Sequence, residues 1–179
     1  MIETQRLLLR PPRPEDFEPV AAMSADASMS RFVGGKPSTR EESWHRLLRY
    51  AGHWTLFGYG LFSVIEKASG GFAGYAGLAF FERGFASSFD GDPEAAWAFA
   101  PAAQNKGYAT EAARAAHSAL DARLGPRRTV CIIDPDNAPS LNVAAKLGYA
   151  RFGEVVYRDE TVWMLERVPA ALRTNAAAP

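Results

Sequence analysis

The chain has 179 residues, 47% of them hydrophobic, which suits one domain with a single core. Lys plus Arg and Asp plus Glu balance at 20 each, so no net field draws the protein to nucleic acid or to an anionic membrane. The single Cys131 excludes an internal disulfide and a cysteine-cluster metal site, and no apolar run approaches the ~18 residues of a membrane span.

Leu7-Leu8-Leu9, between Arg6 and Arg10, predicts a first strand stopped by Pro11 and Pro12. That run is too short for an export signal, so a cytoplasmic location is expected. Residues 14–23 read as a helix, with Pro14 tolerated in the first turn and Phe17, Val20 and Ala21 at helical spacing. Residues 24–37 are mixed, and Gly34-Gly35 and Lys36-Pro37 mark a loop. Ser38 or Thr39 caps a second helix, which places Glu41 and Glu42 at its positive end. Its stripe is Trp44, Leu47, Leu48, Ala51 and Trp54, and Gly58 ends it. The Trp and His residues here read as packing and surface groups, and His45, His53 and His117 lack metal-ligand spacing, so no metal is expected. Residues 61–66 and 72–81 form a hairpin about Ala68-Ser69-Gly70-Gly71, followed by a Gly/Ser-rich connection over residues 84–92 that is expected to be mobile.

The most informative stretch comes next. Residues 94–99 predict a strand, Ala100-Pro101 a turn, and Gln104-Asn105-Lys106-Gly107-Tyr108-Ala109 a polar loop opening an Ala-rich helix that runs to about Leu124. The first turn of a helix has unpaired N–H groups and partial positive charge, and Gly107 removes the Cβ that would hold a phosphate away. Lys106 adds a mobile cation. Gly125-Pro126 ends the helix, and residues 129–133 form a β-branched strand in which Cys131 reads as a small core residue. Asn137 caps a helix through Lys146 that stops at Gly148. A hairpin turns about Arg158-Asp159-Glu160. Residues 1–169 form one domain, and residues 170–179 read as a frayed tail.

Gln104, Gly107 and Ala109 occupy the fixed positions of [RQ]-x-x-G-x-[GA], which resembles the acyl-CoA loop of the GNAT superfamily of N-acyltransferases. Asn137-Ala138-Pro139-Ser140 followed by Lys146-Leu147-Gly148-Tyr149 resembles that superfamily's second signature. The segment from Thr4 to Arg10, T-x-R-L-x-L-R, and residues 57–78 resemble the branch containing ribosomal-protein N-terminal acetyltransferases. The resemblance spans nearly the whole chain. It implies an α/β (α+β) GNAT fold, a mixed and mostly antiparallel sheet flanked by helices in the order β-α-α-β-β-β-α-β-α-β-β.

What the resemblance implies chemically is direct transfer of an acetyl group from acetyl-CoA to a primary amine, of a small molecule or a protein N-terminus, by a monomer or homodimer. Backbone N–H groups of Gln104, Asn105, Lys106, Gly107, Tyr108 and Ala109 would hold the pyrophosphate, and Phe99 would meet the pantetheine and thioester. Asn137 would bond the pantetheine arm, and Ser140 would lie near the sulfur. Residues 28–37 would form the acceptor-specificity loop. Asn137 can also be only a helix cap, and a non-catalytic acyl-CoA-binding module is the alternative of another class. An alkyl ammonium has a pKa of about 10, so a base must remove a proton before attack. Glu82 and Glu94 are the candidates, and both can also be ordinary acids at strand ends. Many members carry a thiolate-protonating Tyr where this chain has Ala144, which leaves Ser140 as the nearest hydroxyl.

Overall fold

The computed structural model describes residues 1–32, 36–86 and 88–173. An eight-stranded sheet runs in the order β1-β2-β3-β4-β5-β6-β8-β7. Its strands are β1 (Ile2–Glu3), β2 (Leu7–Arg10), β3 (Leu61–Glu66), β4 (Phe72–Ala79), β5 (Glu94–Phe99), β6 (Thr129–Ile133), β7 (Ala150–Tyr157) and β8 (Glu160–Arg167). The helices are α1 (Phe17–Ala25), α2 (Ala27–Ser30), α3 (Arg40–Phe57), α4 (Tyr108–Leu124), α5 (Ala138–Leu147) and a final turn, α6 (Ala170–Arg173). The predicted order holds, with three additions. A two-residue edge strand precedes the first, α2 occupies part of the expected 28–37 loop, and α6 occupies the start of the expected frayed tail. Residues 33–35 of that loop and 174–179 of the tail lie outside the described residues.

All neighbouring strands are antiparallel except β5 and β6. Those two are parallel and pair at one position, Glu94 opposite Val130, beside a Val130 N–H to Pro93 carbonyl bond of 3.1 Å. Beyond it their ladder stops, so the strands part toward their C-terminal ends. In open sheets such a crevice outside the carboxyl ends of parallel strands is where ligands bind. Gly74 of β4 keeps the neighbouring side tight, because a Cβ there would collide with the Ala98 carbonyl of β5.

Period-two alternation divides the core between the faces. On one face Ala95 and Phe99 join Ala76, Leu78, Cys131 and Leu165 under the small residues Ala112 and Ala116 of α4. On the other, Ala98 and Tyr75 pack with Met23 of α1 and Tyr50 of α3. The C-terminal turns of α3 wrap the sheet's end, where Trp54 meets Phe62 at 4.8 Å and donates to the Leu61 carbonyl at 2.8 Å. His53 is a structural pin there. Its Nδ1 donates to the Tyr59 carbonyl (2.7 Å) and its Nε2 accepts from the Phe80 amide (3.0 Å).

The 84–92 connection is tied back on itself by contacts that its composition did not suggest. The Asp90 carboxylate accepts from the Arg83 amide (3.2 Å) and the Ala86 amide (3.1 Å), and Phe89 is buried against Phe85. These contacts tie residues 83, 85, 86, 89 and 90 together within the connection, and residue 87 lies outside the described residues.

Under α4 a buried chain joins His117, Tyr149 and Thr129. His117 Nδ1 donates to the Ala113 carbonyl at 2.7 Å, so its Nε2 accepts from the Tyr149 hydroxyl at 2.8 Å, and the Thr129 hydroxyl lies 2.7 Å from that oxygen. Burial lowers the His117 pKa to about 4 and lowers that of His53 as well. Between the folded value and the ordinary ~6.5 the unfolded chain binds more protons, so His117 adds stability above pH ~6.5 that is lost as pH falls toward ~4, about 3 kcal/mol in all. Urea denaturation at pH 7 and pH 5 should show that fall, and H117Q should flatten it. An unchanged slope in H117Q would remove His117 from the account.

Candidate active site

The stretch Gln104–Ala109 lies where predicted, between β5 and α4, after a 3-10 turn at Pro101–Ala103. Asn105 (φ 59°) and Gly107 (φ 78°) are both left-handed, and such alternation makes a concavity of backbone N–H groups suited to anions. No side chain caps α4, and the first helical bond is from the Glu111 amide to the Gly107 carbonyl. The first-turn amides are therefore open to an external acceptor.

Glu111, an acid in that first turn, would compete for those amides if it were free. Instead its Oε1 accepts from the Thr4 hydroxyl (2.6 Å) and the Arg6 amide (3.0 Å), and its Oε2 accepts from Arg6 Nε (2.7 Å). Burial pushes the Glu111 carboxyl up, but these bonds outweigh it and hold it below its usual range. Arg6 also donates to the Lys106 carbonyl (2.8 Å) and lies 4.8 Å from the centre of the Tyr108 ring. On the other flank Glu66 accepts from the Tyr108 hydroxyl (2.5 Å) and pairs with Lys106 (3.3 Å). The bonds from Tyr108, Ser69 and Lys106 lower its pKa to about 2. Sequence reasoning missed this latch of Thr4, Arg6, Glu66 and Glu111. Its trace was the T-x-R segment, read for its resemblance and not for its contacts.

Gln104, though exposed, folds its side chain back onto β5, donating to the Phe99 carbonyl (3.0 Å) and lying 3.0 Å from the Met29 sulfur of α2. It fixes the loop to the end of β5 and to the opposite wall. Because β5 and β6 are parallel, Asn137 and Ser140, which follow β6, stand at the same end of the crevice as the loop. Asn137 Oδ1 accepts from the Ser140 amide (3.1 Å), so its oxygen caps α5, while its NH2 has no hydrogen-bond partner among the described residues. Ser140 is half-buried, and Ala144 is fully buried one turn later.

The two candidate bases differ sharply. Glu82 is exposed, in a left-handed conformation (φ 47°) after β4. Glu94 is buried at the closed apex of the crevice and accepts from Arg83 Nε (2.6 Å) and Nη2 (2.7 Å). Burial pushes its carboxyl up and Arg83 pulls it down, with burial the larger effect. Cys131 is buried mid-strand, and burial raises its thiol well above the ordinary value, so thiolate chemistry is disfavoured. Among the described residues no cluster of three or more His, Cys, Asp or Glu could hold a metal, and no helix is long and apolar enough to cross a membrane.

The sequence profile of the acetyltransferase (GNAT) domain matches residues 6–150. The chain belongs to the GNAT acetyltransferases. The uncharacterized N-acetyltransferase YnaD of Bacillus subtilis is 27% identical over 152 residues, covering 85% of this chain and 84% of its own. A solved structure from Bordetella pertussis assigned to the GNAT acetyltransferases superposes with a TM-score of 0.84 at 34% identity, over 93% of this chain and 98% of that one. The fold is also that of RimL, the ribosomal L7/L12 alpha-N-protein acetyltransferase solved with coenzyme A (TM-score 0.76, 16% identity, 94% and 97% coverage). Membership in the GNAT family places the chain among acyltransferases.

Proposed function

We propose that the protein transfers an acetyl group from acetyl-CoA directly to a primary amine. The observation that carries this reading is the crevice between β5 and β6, open at the uncapped amides of Gly107 to Thr110 and closed at Glu94. A diphosphate seated on those amides sends an extended pantetheine between the parted strands, past Phe99 and the free NH2 of Asn137, with the acyl end toward the apex. β5 spans roughly 17 Å from Glu94 to Phe99 at ~3.3 Å per residue, room for an extended arm. The bound coenzyme A of the structural neighbour RimL supports the cofactor assignment.

Glu94, directly or through a water, takes the proton of the acceptor ammonium. The free amine attacks the thioester carbonyl, the C–S bond breaks, and the second proton shed by the nitrogen passes, directly or through solvent, to the departing thiolate. Coenzyme A's thiol resembles a free thiol with a pKa of about 8.5, so its departure needs only modest help, which Ser140 supplies as a hydrogen-bond donor. S140A should lower kcat on the order of tenfold to a hundredfold with little change in acetyl-CoA affinity. Parental kcat in S140A would assign proton delivery to solvent. The function is tested by mass spectrometry of the chain with acetyl-CoA and an amine panel covering amino acids, polyamines, aminoglycosides and N-terminal peptides. Acetylated product with release of coenzyme A is expected. Acetyl-CoA binding with no transfer to any amine would favour the non-catalytic module.

A further inference from the structure

Helix α3, which with α1 packs on the Ala98 face of β5, carries arginines held in no ion pair among the described residues. Arg46, Arg49 and Tyr50 lie at positions i, i+3 and i+4 of α3 and so share one side of that helix. Arg46 places its guanidinium on two neutral hydroxyls, Ser24 at 2.7 Å and Ser38 at 2.9 Å. Arg49 is exposed, with its guanidinium 5.5 Å from the Tyr50 ring centre and 5.8 Å from that of Phe81. Neither arginine is in an ion pair among the described residues. Arg83, the third guanidinium on this side, is already committed to Glu94 and lies 4.9 Å from the Phe81 ring.

These side chains converge on the acceptor side of β5. Glu94, Ala96 and Ala98 alternate with Ala95, Trp97 and Phe99, so Glu94 leaves the sheet on the side where Ala96 and Ala98 meet Tyr50, Tyr75, Met29 and Phe81. The Tyr50 and Tyr75 rings are 5.4 Å apart, and both Arg46 and Arg49 act electrostatically on the buried Tyr75 hydroxyl. Arg49 also acts on Glu94 itself. A base for the amine, an aromatic and thioether floor, the uncommitted guanidinium of Arg49 and the Arg46 guanidinium on its two neutral hydroxyls thus lie in one region.

From this we infer that the acceptor is an amine bearing a carboxylate a few atoms away, on an apolar or aromatic body, and that Arg49, assisted by Arg46, binds that carboxylate. An uncommitted guanidinium recognises a carboxylate by a two-pronged, charge-assisted bond and repels a second ammonium, so the same groups that hold an amino acid disfavour a polyamine. This rests on the acyl-transfer reading. It names the acceptor class, which that reading leaves open. A free amino acid and a peptide whose N-terminal residues carry an acidic side chain present the same chemistry.

The test follows release of coenzyme A by the full chain with phenylalanine against 2-phenylethylamine, and methionine against 3-(methylthio)propylamine. Spermidine and Ser-Asp and Ser-Lys peptides complete the set. For at least one matched pair, kcat/KM should favour the carboxylate-bearing member at least tenfold. A free amino acid as the better substrate, or Ser-Asp over Ser-Lys, separates the two sources. R49E should bring that preference to near one or reverse it, with acetyl-CoA KM unchanged, and the matched amines lacking the carboxylate should lose less kcat/KM than their carboxylate-bearing partners. R46Q should do the same to a smaller degree. The inference is overturned if spermidine or the decarboxylated amines are preferred, or if both variants keep the parental preference. Acetyl-CoA binding without transfer to any member also counts against it while leaving the cofactor site standing. Failure to bind acetyl-CoA removes the acyl-transfer reading and this inference together.

Discussion

Gly107→Asp is expected to abolish stabilisation of the protein by acetyl-CoA while leaving the unliganded chain folded. A ligand that binds only the native state adds RT ln(1 + [L]/Kd), about 2.7 kcal/mol at a hundredfold excess over Kd, and the parent should show that rise in melting temperature. Position 107 is left-handed at φ 78°, a conformation that Asp visits more readily than most residues. An added Cβ there would meet Arg6 Nη2 at 3.5 Å, ordinary contact with a flexible side chain, so the fold has room for the substitution. What it cannot accommodate is the ligand. The new carboxylate sits against the uncapped amides of α4 and takes the place of the diphosphate, in the role that Glu111 is kept from by Thr4 and Arg6. A folded variant whose melting temperature still climbs with acetyl-CoA as the parent's does would show that the diphosphate binds elsewhere.

What the sequence disclosed and what it hid divide along contact range. Gly107, Asn137 and Gly148 announce themselves because caps and left-handed turns are decided within a few residues. The Ala-rich face of α4 is likewise a periodic signal, whereas the crevice itself came only from the single paired position of β5 and β6. The latch on the loop was invisible for the opposite reason. Arg6 and Glu111 are 105 residues apart, and only the pairing of β2 with β3 and the packing of α4 bring them together. The same holds for Arg83. Glu82 drew attention as the acid beyond β4, but the chain turns there so that its neighbour Arg83 reaches the strand and Glu82 faces solvent. In the 84–92 connection the Gly and Ser residues drew the attention, whereas the contacts are made by Asp90 and Phe89, whose partners composition does not name.

Glu94→Gln is expected to lower kcat/KM near pH 7.5 by about a hundredfold to ten-thousandfold, the usual contribution of a positioned general base. The loss should shrink as pH rises toward the amine's own pKa of about 10, where the acceptor is free base without help. Glu82→Gln, altering an exposed side chain, should leave the rate near the parent's. The competing account is structural. Glu94 holds Arg83 by two bonds, and removing one partner of a buried ion pair can cost about 3–5 kcal/mol through the charge left behind. Glutamine keeps the shape and one acceptor oxygen, so part of that cost is avoided, but a melting-temperature loss is expected on either account. The pH profile separates them. A purely structural Glu94 would depress the rate by the same factor at every pH at which the variant stays folded, and the acidic limb of the parent's profile would persist. A base would take that limb with it, because the group whose deprotonation the limb reports would be gone. Burial outweighs Arg83 in setting the Glu94 pKa, so the limb should lie above the usual carboxylate range. A variant that keeps the parental limb would return proton removal to solvent and leave Glu94 as the anchor of Arg83.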